Sequence, residues 1–180
     1  SAGIYYVMSG YPLMQFVQKT IGGVDSFTLL AIPFFLLAGD IMGKGGISRR
    51  MLRFANALVG PLTGGLAVTG VVSSAMFGTI CGSAPATAAS IGGIIAPEML
   101  EKGYSKRFTG SIIAASGLLG IIIPPSIVMV NYGATAGISI GSLFVGGIIP
   151  GVMAAAGLAL YSIFQSKKND YGMVEGHKSH

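Results

Sequence analysis

Long apolar runs separated by short polar or basic clusters set the outline of this chain. Residues 4–18 are apolar but too short to cross a bilayer. The chain opens inside that run, at Ser1-Ala2-Gly3, so it reads as the end of a span whose start is missing. Gly22-Gly23-Val24-Asp25-Ser26 is a loop in which Asp25 or Ser26 can cap the next helix. Residues 27–43 then form a predicted span, with Asp40 one turn before its end as an acid at the water interface. Lys44-Gly45-Gly46 closes it.

The pattern changes over residues 48–59. At about 100° per residue, Arg49, Arg50, Arg53 and Asn56 share one arc, while Ile47, Met51, Phe54, Ala55, Leu58 and Val59 share the opposite one. This predicts an amphipathic helix lying in the interface with its basic side towards headgroups, or else packed peripherally on other protein.

Residues 64–99 run apolar again, interrupted at Gly82–Pro85. The arm after the break, residues 86–99, is only ~21 Å long as a helix, short for a crossing. Lys44, Arg49, Arg50 and Arg53 precede the run, and Lys102, Lys106 and Arg107 follow it, so both ends are cytoplasmic by the positive-inside rule. Two full helices joined by an external loop satisfy that rule too. The small, uncharged tip fits a buried re-entrant helical hairpin better. Residues 108–136 form a second broken span, because Pro124 and Pro125 lack N–H groups and leave carbonyls near residues 120 and 121 unpaired. Residues 140–164 span back, with a kink at Pro150-Gly151, and residues 165–180 are a polar tail.

Composition agrees with that outline. Of 180 residues, 52% are hydrophobic and 9% charged, with a mean hydropathy of +0.73. Soluble domains carry ~25% charged residues, so the predicted class is an all-α integral membrane protein. The net charge of +5 reflects topology rather than nucleic-acid binding, since every Lys and Arg except Lys19 can lie on one side. The single cysteine, Cys81, allows no internal disulfide, and with His177 and His180 in the tail it gives no metal-site spacing.

Chemistry is expected where the two breaks face each other. Around the first stand Thr79, Ser83, Thr87 and Ser90, with close backbone approach at Gly78 and Gly82. No nucleophile–base pair or carboxylate couple accompanies them, so the chain is not expected to be an enzyme and no cofactor is implied. Carbonyls and hydroxyls suit a hard monovalent cation. The half-helix N-termini at 86–90 and 126–130 suit an anionic group, which makes Ala84, Pro85, Thr87, Ser126 and Asn131 the substrate-facing candidates. The competing reading is that Gly, Ala and Ser here only allow helices to pack closely. Cys81, among apolar neighbours, is expected to be an inert thiol.

Several stretches resemble the large membrane subunit of tripartite ATP-independent periplasmic (TRAP) transporters. They are residues 27–47, Arg53-Phe-Ala-Asn-Ala-Leu-Val-Gly60, Gly82-Ser-Ala84, Ile123-Pro-Pro-Ser-Ile127 and Ser139-Ile-Gly-Ser-Leu-Phe144. The resemblance covers residues 20–165 and implies the first of two inverted repeats of an elevator-type importer. It further implies sodium coupling, an organic-acid substrate (a C4-dicarboxylate, sialic acid or a 2-oxo acid), a periplasmic substrate-binding protein, a small membrane subunit and a bacterial inner-membrane location. Carried over, it makes Cys81, Gly82, Ser83, Gly120, Ile123 and Pro125 the sodium ligands, mostly through backbone oxygens. Many relatives have serine where Cys81 stands, and a thiol is a poor sodium ligand, so there only the carbonyl is credible. The second repeat is absent from this sequence. A hairpin-bearing anion symporter without a binding protein, and a membrane scaffold in which the breaks only pack, are the competing readings.

Overall fold

The computed structural model describes residues 31–171, together with Met14, Val17 and Gln18. The predicted span end at 1–18, apart from those three residues, and the cap at Asp25 or Ser26 lie outside the described residues. Among the described residues the chain is helical, without strands. Helix α1 is Ala31–Lys44, α2 Ile47–Val59, α3 Gly65–Cys81, α4 Ala84–Glu101, α5 Lys106–Gly117, α6 Leu119–Ile122, α7 Ile127–Ala136 and α8 Ile140–Lys168.

Glycine sets the corners. Gly46, Gly64, Gly82, Gly103 and Gly137 all have positive φ, a left-handed conformation that costs a side-chain-bearing residue about 1–2 kcal/mol. Pro33 sits within the first turn of α1, where a missing N–H breaks no helical bond. Helix α1 packs on the hairpin through Gly39 and Gly43, spaced one turn apart. A Cβ on Gly39 would lie 2.9 Å from Cys81 Cβ, and one on Gly43 would lie 3.0 Å from Ser90 Oγ. Asp40 is exposed and pairs with Lys44 at 2.8 Å.

Helix α2 buries only an edge of the predicted apolar arc, at Ala55, together with two residues placed in neither arc. Ser48, Leu52 and Ala55 are buried against α3 and α4, whereas Ile47, Phe54 and Leu58 remain exposed. A period of 3.6 places an apolar stripe but does not say which part meets protein and which meets something else.

Helices α3 and α4 fold back on one another about Gly82-Ser83, with Gly70 against the Ile95 side chain. Their core is Leu66, Ala67, Val71, Phe77, Cys81, Ile91, Ile95 and Met99, all nearly or wholly buried. Leu118 has helical dihedrals, so α5 and α6 act as one rod, and α7 continues from it with a bend of 41°. Inside this apolar body one hydroxyl pair crosses between helices: Ser74 donates to Ser116 at 3.2 Å, tying α3 to α5, whereas the hydroxyls of Ser48, Ser73 and Thr109 are buried without a partner among the described residues.

Helix α8 is the one described helix long and apolar enough by itself to cross a membrane, and the α5–α7 rod makes a second such unit. It runs without interruption through Pro150. It also continues past residue 164 to Lys168, because Ser162 and Ser166 are buried and Ser166 fits against Gly64 at the hairpin base. Beyond it Tyr171 returns to stack on Tyr104, with ring centroids 5.1 Å apart, and on Phe108 at 5.8 Å. Residues 165–171 are therefore not a free tail. Burial raises the Tyr104 phenol above its ordinary pKa, with the neighbouring Ser166 hydroxyl and Ala67 backbone offsetting part of the shift, so this aromatic base stays neutral.

Lys102, Lys106, Arg107, Lys167 and Lys168 thus collect with the start of α3 at one end, and Gly82 lies at the other end of the hairpin. Helix α3 has 17 residues and reaches about 25 Å from base to tip. Helix α7 adds ten residues beyond the break, about 15 Å along its axis, so the tip stops short of the end of the bundle.

Candidate functional site

The two interruptions are in contact. Helix α3 ends when Gly82 turns left-handed at φ 61° and its N–H donates back to the Gly78 carbonyl at 2.8 Å. The Gly82 carbonyl then accepts from the N–H of Ile127, the first residue of α7, at 3.2 Å. That one bond joins hairpin tip to helix break, with a second lone pair remaining on the oxygen.

Close approach does the rest. A Cβ on Gly78 would lie 2.5 Å from Gly120 Cα, and one on Gly120 would lie 2.6 Å from Thr87 Oγ1 and 3.0 Å from the Ser83 carbonyl oxygen. One on Gly82 would lie 3.1 Å from Ile127 N and 3.2 Å from the Pro125 carbonyl oxygen. Helix α8 closes the other side at the same level, with Gly147 against the Ile122 carbonyl and Gly151 against Ile123.

Of the predicted cation ligands, Gly82, Ser83, Gly120 and Pro125 come together here. The Ser83 carbonyl already accepts from Thr87 N at 3.0 Å and from Thr87 Oγ1 at 2.8 Å. Cys81 is wholly buried, its Sγ 3.1 Å from Thr87 Oγ1 and 3.5 Å from the Ser83 carbonyl. Ile123 caps α6 in an extended conformation and turns its side chain towards Gly151.

The substrate-facing candidates divide. Thr87 and Ser126 are fully buried and locally engaged, Thr87 with Ser83 and Cys81, and Ser126 as the cap that accepts from Met129 N at 3.5 Å. Pro85 and Asn131 are exposed, and Ala84 is half-buried.

Electrostatically the junction has two poles. Helices α4 and α7 begin at it, with the Ile127, Met129 and Thr87 N–H groups already bonded locally, while α3 and α6 end at it, so N-terminal and C-terminal dipole ends meet there. Such dipole ends favour an anionic group at one pole and a hard cation at the other. Among the described residues no cluster of His, Cys, Asp and Glu could hold a metal ion, so the oxygens on offer are backbone and hydroxyl, a donor set suited to an alkali cation. Sequence reading missed Gly147 and Gly117, and took Gly151 only as part of a kink. A Cβ on Gly117 would lie 2.8 Å from Ala88 Cβ. Small residues recurring on facing helices were the signal available for them.

Residues 1–179 match the family model described as tripartite ATP-independent periplasmic transporter, DctM component. The isethionate TRAP transporter permease protein of Oleidesulfovibrio alaskensis is 45% identical over 160 residues, covering 89% of this chain and 25% of its own. The C4-dicarboxylate TRAP transporter large permease protein of Rhodobacter capsulatus is 40% identical, covering 94% of this chain and 42% of its own. Its Vibrio cholerae counterpart is 51% identical over 128 residues, covering 71% and 28% respectively. The chain thus spans less than half the length of these relatives.

Proposed function

This chain belongs to the DctM component family of tripartite ATP-independent periplasmic transporters, and from that premise we propose that it supplies one half of a sodium-coupled permease site for an organic acid. The observation that carries the reading is the bond from Ile127 N–H to the Gly82 carbonyl, which sets two helix C-termini and two helix N-termini around one junction.

In this reading the carbonyl pole, with Gly82, Gly120 and Pro125, takes the sodium ion. Cys81 and Ser83 contribute only through backbone oxygen, and Ile123 is the weakest of the six candidates because it faces α8. The N-terminal pole, flanked by Ala84, Pro85 and Asn131, takes the acid group. Isethionate and C4-dicarboxylates, which two relatives are named for, both carry one. Thr87 and Ser126 support the backbone beside it. Sodium favours the closed junction only by binding it more tightly than the open one. The complete transporter is an inner-membrane assembly with a small membrane subunit and a periplasmic binding protein, and the basic end of the bundle is cytoplasmic.

The test is thermal unfolding of the full-length subunit in sodium, potassium or choline chloride at equal ionic strength. Sodium alone is expected to stabilise, by about 2.7 kcal/mol at a hundredfold excess over its Kd. An equal response to all three salts rejects the sodium site. Transport that proceeds without the binding protein rejects the three-component reading.

Topology is checked separately. In membrane vesicles, Ser83→Cys is expected to resist a membrane-impermeant thiol reagent from the periplasmic side in sodium. Rapid labelling under all conditions would make the tip an external loop.

A further inference from the structure

Away from the junction, a cleft of about 370 Å³ opens between α2 and the base of the hairpin. Its walls divide by chemistry. Leu52, Leu66, Ile94 and Ile95 form an apolar floor, and Arg49, Arg53 and Asn56 on α2 face Glu98 on α4 across it. The Asn56 side-chain oxygen is already used, accepting from Thr69 Oγ1 at 3.3 Å, which leaves the amide N–H groups as further donors. Neither arginine forms an ion pair with Glu98, whose nearest cation is Lys102 at 3.8 Å.

Two guanidiniums against one carboxylate leave the cleft one positive charge, matching the single negative charge of a phosphodiester. Arginine's planar fork binds phosphate oxygens in pairs. A free inorganic phosphate would make no use of four aliphatic side chains, whereas the glycerol and first methylenes of a lipid would. Glu98, half-exposed and paired only at 3.8 Å with Lys102, can accept further donors, and a glycerol headgroup has hydroxyls to offer. The exposed Ile47, Phe54 and Leu58 on another face of α2 make it a helix lying at the acyl–headgroup boundary, the level at which lipid phosphates are found.

We infer that this cleft is a binding site for an anionic glycerophospholipid of the phosphatidylglycerol type, its phosphodiester held by Arg49, Arg53 and Asn56 and its headgroup hydroxyls by Glu98. The inference rests on the membrane placement of α2 and is independent of sodium coupling. Occupied, the site cements the arm helix to the hairpin base through a molecule of the bilayer.

The experiment uses the full-length subunit, delipidated in detergent and titrated with phosphatidylglycerol, phosphatidylcholine or inorganic phosphate, with thermal unfolding as readout. Phosphatidylglycerol is expected to stabilise the protein, and Arg49→Gln with Arg53→Gln is expected to weaken its apparent affinity by about 10- to 30-fold. Arg50→Gln on the same helix, outside the cleft, should leave the affinity unchanged and so separates a site from general charge. Should the double variant fail to fold, Glu98→Gln serves in its place and is expected to remove the preference for phosphatidylglycerol over phosphatidylcholine. Equal responses to both lipids, or equal loss with Arg50→Gln, overturn the proposal, and an equal response to inorganic phosphate makes the cleft a soluble-anion site. A nitroxide at Phe54 quenched only from water would overturn the membrane placement itself. A lipid-exposed label with an unaltered phosphatidylglycerol response overturns the headgroup site alone.

Discussion

Replacing Gly78 with alanine is expected to lower the stability of the full-length subunit by about 3 kcal/mol, the upper end of the usual cost of overpacking. The added carbon would sit 2.5 Å from Gly120 Cα and 2.9 Å from Gly120 N, and both are backbone atoms. A side chain can rotate away from such an intrusion, but here one helix must move off another. That movement also loosens the Ser74–Ser116 hydrogen bond and the packing of Phe77 and Leu119. Gly93→Ala is the control, because no atom lies within 4 Å of its new carbon. It should be neutral or stabilising by up to about 1 kcal/mol, the helix-propensity gain of alanine. Thermal unfolding of both variants decides the matter, and a Gly78→Ala protein as stable as Gly93→Ala would mean that the tip–break contact does not form.

Gly120→Leu is expected to abolish sodium-coupled uptake by the complete transporter while leaving membrane insertion intact. Its Cβ would meet Thr87 Oγ1 at 2.6 Å and the Ser83 carbonyl at 3.0 Å, before the rest of the leucine is placed. Hairpin tip and break must then separate, and the carbonyls of Gly82 and Pro125 no longer share one pole with Gly120. The usual overpacking penalty of about 2 kcal/mol on the closed junction already corresponds to roughly 30-fold in uptake at limiting sodium, and the remaining leucine atoms add to it, so uptake falls to background. The sodium-dependent rise in thermal stability should vanish in parallel. Uptake with unchanged sodium dependence in a normally inserted Gly120→Leu transporter removes Gly120 from the site.

The helices and breaks of this chain were largely legible in the sequence, because apolar run length and Gly–Pro punctuation are local signals. The end of α8 was not. Gln165, Ser166, Lys167 and Lys168 count as polar, yet Ser166 is buried by a contact with Gly64, about a hundred residues away. The narrow buried edge of α2 was hidden for a similar reason, since periodicity records sidedness and says nothing of what covers each side. At the site, the hydroxyls of Thr87 and Ser126 looked like ligand groups, but each bonds within its own helix turn, as threonine and serine in helices and caps commonly do. Gly78 stood out as a residue permitting close approach and Gly120 as a carbonyl freed by the second break, and that the two approach each other is a contact across 42 positions.

The meeting of α3, α6 and α8 through Gly78, Gly120, Gly147 and Gly151 has a consequence for how such a protein can change over evolutionary time. Where glycine meets glycine or backbone there is no side chain to vary, so selection for a new cargo has little to act on at those contacts. Diversification is pushed outward, to positions such as Pro85 and Asn131 that still carry exposed side chains. The inner glycines are then expected to behave as a fixed bearing on which different specificities are mounted.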